Sequence, residues 1–346
     1  MPRHYFDANA TVPPCPEALT AVTAAMREAW GNPTSTHREG QRARHLLEEA
    51  RRALATQLSV RPAELVFCAS ATEALHHLLR GLQPALGNRP AAVFPGEHSA
   101  CLQPLKEWKQ VHWLPKVPDG CATLVQMAAN NETGILYSMP QVPGAVRIKD
   151  CAQVWGKVPV ALDDCDAAVF SAHKMGGPRG AALLWMRSDL PWSVVMEGPQ
   201  ERRRRGGTED LPAILGLAAA AGRLPERLAA NAELARLRDA LEAELSGWGL
   251  GIEAVGSTQA RLPNTSCLIL RGHLGEDVHM ALDLEGFAVS TGSACHSGAT
   301  KPSHALMTLG YSEAEARSAL RISLLPGTSE AAVQALAEAL RRILAR

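Results

Sequence analysis

Six short apolar runs punctuate the first half of the chain, at Leu65–Phe67, Ala91–Phe94, Leu124–Ala128, Val146–Ile148, Ala167–Phe170 and Ala181–Met186. Several are separated by helical or turn segments, and His37–Leu58 ahead of them reads as an amphipathic helix. Its Leu46, Leu47, Ala50, Leu54 and Leu58 recur on one face. Extended runs alternating with helical spacing are the signature of a mostly parallel sheet with crossover helices. The pattern changes after Leu211. A stretch rich in Ala, Leu, Arg and Glu runs to about Leu245 as one or two helices. Then come a strand near Cys267–Leu270, a helix over Glu276–Leu284, strands at Ala288–Ser290 and Arg321–Leu325, and a last helix from Ser329. The expected organisation is α/β: a large domain over residues 15–230, and a smaller α+β domain built from 1–14 and 231–346, the boundary falling near 225–235. Pro13, Pro14 and Pro16 mark the N-terminal strip as a crossing segment.

Composition excludes some functions. The 35 basic side chains balance 35 acidic ones, so no global field favours nucleic acid or a membrane surface. No apolar run approaches the roughly 20 residues of a membrane span, and residues 1–10 carry no apolar signal core, so a cytoplasmic protein is expected. The cysteines, at 15, 68, 101, 121, 151, 165, 267 and 295, include no C-x-x-C pair, which argues against a zinc site or a redox dithiol. Cys68 and Cys267 lie in apolar runs and read as small buried hydrophobes. Cys295, in a Gly/Ser/Thr/Ala stretch, does not. His76 and His77 are adjacent, hence on different sides of a helix, and make a poor metal site; no metal is expected. Arg202–Arg205 is the only dense basic run and reads as a solvated strand or loop. Only seven lysines are available for chemistry: 106, 109, 116, 149, 157, 174 and 301.

In open parallel sheets, ligands sit at the carboxyl ends of the strands. After the successive runs come Ala69-Ser70-Ala71-Thr72-Glu73, Glu97-His98, Asn130-Asn131-Glu132-Thr133-Gly134, Asp150 with Gln153, and Ser171-Ala172-His173-Lys174. Small hydroxyl-bearing residues entering a helix suit a phosphate, because free N–H groups and the helix dipole favour an anion. An acidic residue for a ring nitrogen and a lysine at the next strand end are what pyridoxal 5'-phosphate (PLP) requires. Each signal alone is weak: a cap, a structural histidine, a surface lysine. Five at successive strand ends are not.

The sequence resembles the cysteine desulfurases, fold-type I PLP-dependent transferases of the class V aminotransferase group, nearly end to end. The residues that carry the likeness are Phe6-Asp7-Ala8-Asn9-Ala10-Thr11, Gly31-Asn32-Pro33-Thr34-Ser35 with His37, Ala71-Thr72-Glu73 and Glu97-His98. They continue through Asn130-Asn131-Glu132-Thr133-Gly134, Asp150-Cys151-Ala152-Gln153, Ser171-Ala172-His173-Lys174 with Gly177-Pro178, and Arg205-Gly206-Gly207-Thr208-Glu209. Ser290-Thr291-Gly292-Ser293-Ala294-Cys295 and Arg321-Ile322-Ser323 complete them.

The resemblance implies Lys174 as the Schiff-base lysine, Asp150 as partner of the pyridine nitrogen, and His98 stacked on the ring and moving protons. It gives the ring hydroxyl to Asn131 and Gln153, and the phosphate to Ala71, Thr72, Ser171 and His173, with Thr208 reaching it from a neighbouring subunit. Arg321 would pair with the substrate carboxylate, as its planar fork suits two oxygens, and Cys295 would carry sulfur as a persulfide. The implied activity is removal of sulfur from L-cysteine, giving L-alanine, in a homodimer. That homodimer would pass sulfur to an acceptor protein, an iron–sulfur scaffold or a tRNA-thiolation enzyme, with no direct nucleic-acid contact. Selenocysteine lyase, another class V aminotransferase-like enzyme and a degenerate scaffold subunit are the alternatives. The sequence departs from the family at Ser70 and Ala172, where glycine is usual, and at Ala74-Leu75-His76-His77 in place of an Asn-rich stretch. His296 stands where a small hydroxyl residue is common. The segment before Asp150 is short, with Pro140 and Pro143 where a helix is usual.

Overall fold

The computed structural model describes residues 3–291 and 302–345. Strand β1 (His4–Tyr5) opens the chain, followed by helices α1 (Pro16–Glu28) and α2 (Arg38–Leu58). Next come β2 (Leu65–Cys68), α3 (Ala71–Leu86), β3 (Ala91–Val93), α4 (Ser99–Leu105), β4 (Val111–Trp113) and β5 (Thr123–Met127). Strands β6 (Val146–Asp150), β7 (Ala167–Ser171) and β8 (Ala182–Met186) lead to α5 (Leu211–Ala221) and α6 (Leu224–Ser246). The remainder holds β9 (Ile252–Ala254), β10 (Thr265–Leu270), α7 (Gly275–Leu284), β11 (Phe287–Ala288), α8 (His304–Thr308), α9 (Glu313–Arg317), β12 (Ala319–Ser323) and α10 (Glu330–Leu344). The elements form two compact units, one of residues 13–128 and 137–225, the other of 1–12, 129–136 and 226–346.

The first unit is built on a seven-stranded sheet in the order β2-β8-β7-β6-β5-β3-β4. Only β8 runs antiparallel to its neighbours, β2 and β7. The carboxyl ends of β2, β3, β5, β6 and β7 therefore share one edge. Every residue of β2, β5, β7 and β8 is buried, so both faces of the sheet are covered, as a mostly parallel sheet demands. One face packs Val66, Val125, Ile148, Val169 and Leu184 against Leu75, Leu78, Leu79 and Leu82 of α3 and Cys101 and Leu105 of α4. Helix α2 follows the expected period: Leu47, Ala50, Leu54 and Leu58 are buried, and His37 caps it, its Nδ1 accepting from Gly40 N at 3.3 Å. Helix α1 lies in the strip expected only to cross. Its prolines did not forbid a helix, because Pro16 occupies the first turn, where no amide hydrogen is needed.

The second unit holds the antiparallel sheet β12-β10-β9 and the parallel pair β1-β11. Its core gathers Phe6, Leu237, Leu241, Leu268, Leu282, Leu320, Ile322, Leu336 and Leu340. The chain between β5 and β6 carries no helix, in keeping with its two prolines.

Candidate active site

In the first unit the shared edge assembles most of the expected residues. Asp150 is the last residue of β6, in register with Met127 of β5 and Val169 of β7. It is buried, and its Oδ1 accepts from Ala152 N at 2.8 Å, which fixes the carboxylate in a tight turn. On the next strand, Ser171 ends β7 and a short 3-10 turn, Ala172–Lys174, follows. Lys174 is thus delivered one strand away from Asp150, at the same end. Ala172 tolerates its side chain because the tight approach is met from the other side: a Cβ on Gly177 would lie 3.0 Å from that of Ala172.

Helix α3 presents its N-terminus at the end of β2. Ser70 caps it, with extended backbone (φ −157°, ψ 160°) and Oγ accepting from Glu73 N at 3.1 Å. No glycine geometry is needed there, so the departure at Ser70 is accommodated as a helix cap. Ala71 and Thr72 form the first turn, where N–H groups lack intrahelical acceptors; Thr72 is exposed and Ser171 buried. His173 is half-buried, and burial, with the charges of Lys174 and Arg179, pushes its imidazole down to about 4. It is neutral at pH 7. His98 caps α4, its Nδ1 accepting from Ala100 N at 3.1 Å, so a neutral ring carries its proton on Nε2.

Behind these groups lie two residues to which the sequence gave no role. Glu97 is fully buried, and its Oε1 accepts the amide hydrogen of Met127, the register partner of Asp150. Burial, and then the nearby Asp150 carboxylate, hold Glu97 well above the usual carboxylate range. Lys157, also buried, donates from Nζ to Oε1 of the buried Gln153 at 2.7 Å. Glu97 is legible only as the neighbour of His98 in a motif, and nothing in the sequence distinguishes Lys157 from the lysines that snorkel to solvent.

Thr208 is exposed, on a loop held from behind. Glu201, Arg202 and Arg203 all adopt left-handed backbone, with φ of 47°, 57° and 64°. Glu201 is buried and receives a bidentate pair from Arg51, at 2.7 and 2.8 Å, and the Phe67 amide at 2.8 Å. Arg205 donates to Glu73 Oε1 at 2.7 Å, and Arg204 reaches the Leu65 carbonyl at 3.1 Å. The basic run is thus largely consumed within the unit. His77 likewise packs inside, its ring edge-on to Trp192 at 5.0 Å.

In the second unit, Arg321 is buried on β12. It donates to Asp7 and, from Nη1, to the Asn131 carbonyl at 3.0 Å; its Nε has no hydrogen-bond partner among the described residues. The Asn131 carbonyl also accepts from Asn9 Nδ2 at 3.1 Å. Asp7, 314 residues away in sequence, was legible only as part of a motif. Cys295 and His296 lie outside the described residues.

The donor set of the first unit fits PLP: an amine and a buried carboxylate at adjacent strand ends, a capped helix N-terminus, and a neutral imidazole beside a hydroxyl. Residues 4–336 match the profile of the class-V aminotransferases. A cysteine desulfurase of Cereibacter sphaeroides is 34% identical, over 99% of this chain and 96% of its own. An IscS-like cysteine desulfurase of Mycobacterium tuberculosis is 33% identical, over the same shares. The solved structure of a NifS-like protein superposes with a TM-score of 0.90 at 28% identity, covering 99% of both chains. The chain belongs to the class-V aminotransferase family, PLP-dependent enzymes on a mostly parallel α/β sheet. Within it, the chain groups with the cysteine desulfurases.

Proposed function

We propose that the protein removes sulfur from L-cysteine, releasing L-alanine and retaining the sulfur as a persulfide on Cys295. PLP, when bound, supplies an electron sink that weakens the bonds around the substrate α-carbon. Lys174 would hold it covalently, and its amine would move protons to and from the substrate carbon. Asp150 would serve the ring nitrogen; Gln153 and Asn131 would serve the ring hydroxyl. Ala71, Thr72, Ser171 and His173 hold the phosphate. His173 does so as a neutral N–H donor, matching its depressed basicity. His98 would stack on the ring, with Nδ1 engaged in the cap and Nε2 the nitrogen that donates a proton. Arg321, with Asp7 and Asn131 fixing its plane, offers its remaining donors to the substrate carboxylate; a buried, unmatched Nε is the atom such a partner would satisfy. The Cys295 thiolate would form an S–S bond with the substrate sulfur as the carbon–sulfur bond breaks, its electron pair staying with the carbon fragment, which takes up protons to leave as alanine.

The observation that carries this reading is the placement of Lys174 and the buried Asp150 at neighbouring strand ends. The working form is a homodimer in which Thr208 reaches the phosphate of the partner's cofactor. The setting is the cytoplasm, and the persulfide passes to a protein acceptor of iron–sulfur assembly or tRNA thiolation. No helix of the described residues is long and apolar enough to cross a membrane. Two variants test the chemistry. Cys295→Ala is expected to bind PLP and stay yellow yet release almost no alanine; Lys174→Ala is expected to lose the absorption of lysine-bound PLP. Normal alanine release by Cys295→Ala would overturn the assignment.

A further inference from the structure

The turn after β6 contains a buried cation that the reaction as drawn does not use. Residues 151–157 are all buried, and the chain winds tightly: Val154 N reaches the Cys151 carbonyl at 3.2 Å and Lys157 N the Val154 carbonyl at 2.9 Å. Gly156 makes the winding possible with φ of 81°, a conformation that strains other residues. Trp155 wedges edge-on against Phe170 at 5.0 Å. The consequence is that the side chains at 153 and 157 meet, one helical turn apart in number, with Lys157 Nζ donating to Gln153 Oε1 at 2.7 Å.

That contact settles which end of the Gln153 amide faces where. An amide presents an acceptor oxygen and a donor NH2, and the two are interchangeable in shape. An ammonium has donors only, so turning the NH2 toward Lys157 would set donor against donor inside a buried turn. The oxygen must face Lys157, and the NH2 is then the end that serves any other partner. We propose that Lys157 is a positioning residue for the reaction: by holding Oε1 of Gln153 it makes the Gln153 NH2 an obligate donor to the cofactor's ring oxygen, which favours that oxygen in its anionic form. A donor backed by a buried positive charge prefers an anion to a hydroxyl, because hydrogen bonding and charge both favour the ionised acceptor. The inference rests on the reading that Gln153 contacts the ring oxygen.

The visible and near-ultraviolet bands of bound PLP report the ionisation of that oxygen without any turnover. In the holoenzyme, Lys157→Met is expected to raise the near-ultraviolet band at the expense of the yellow one. The ratio should change by roughly tenfold, as a one-unit change in the balance produces. Lys157→Arg, which keeps a charged donor, is expected to retain most of the yellow band. Gln153→Leu is expected to shift the bands as Lys157→Met does. Lys157→Gln removes the charge from a polar buried site and serves if the methionine variant does not fold; it too is expected to shift the bands. Unshifted bands in the folded Lys157 variants, with a shift in Gln153→Leu, would overturn the proposal and leave the Gln153 contact standing. Unshifted bands in Gln153→Leu would overturn both.

Discussion

His173 shows how one side chain is prepared by its surroundings. Burial and two neighbouring cations bring its imidazole down from 6.5 to about 4, so the folded protein carries it neutral where the unfolded chain would protonate it. Between those values the unfolded state binds the additional proton. The resulting stability is fully present above about pH 6.5 and is lost as the pH falls toward 4. In cofactor-free protein, the urea midpoint is expected to drop across that window less in His173→Asn than in the parent, and NMR titration should place the imidazole near 4. Parallel midpoint profiles would remove the linkage. The same dependence on surroundings limits what sequence can show. Lys174, Asp150 and His98 are legible because each follows an apolar run and has a role that its type alone suggests. The roles of Glu97 and Lys157 are not, because their significance is burial: one has its acidity weakened by it and the other aims an amide, and neither property has a sequence signature.

At the scale of elements, the loop that carries Thr208 is governed by residues distant in sequence. Three successive left-handed residues, none a glycine, cost of order 1–3 kcal/mol each and persist only where the surroundings enforce them. Here the enforcement is the Arg51–Glu201 pair, its side chains 2% and 0% exposed, together with the Phe67 amide and the Phe67 ring, 4.6 Å from the guanidinium carbon. Glu201→Leu strands a buried guanidinium and is expected to cost about 3–5 kcal/mol in urea unfolding. Arg51→Met combined with Glu201→Leu should recover part of that loss. It should not recover all, because the Phe67 amide and the Leu65 carbonyl still lose partners. Complete recovery would mean the pair only replaces an apolar contact. Six of the seven strands of the large sheet, with α2, α7 and α10, are visible as apolar spacing. The left-handed turn was not, since a run of arginines advertises solvent rather than a forced backbone. Strand β4 escapes for a different reason: it is a three-residue edge strand, half exposed, and its Val-His-Trp alternation is too short to mark it.

For the whole molecule, the exposure of Thr72 and Thr208 bears on assembly, for hydroxyls proposed to meet a phosphate are open on a single chain. The PLP-loaded protein is expected to sediment at twice the chain mass, and Thr208→Val to weaken PLP retention without dissociating the dimer. An active, PLP-replete monomer would reject that arrangement. The second unit also joins the beginning of the chain to its end. β1 pairs with β11, Asp7 bridges to Ser323, and Asp7 holds Arg321. Translation runs from the N-terminus, and folding of domains follows it. The first dozen residues must therefore emerge from the ribosome long before their partners exist, and wait while the large sheet forms. The proposed carboxylate-binding arginine acquires its orienting acid only when the last strand has been made, so a chain interrupted before residue 319 carries a finished sheet and no means of completing that site.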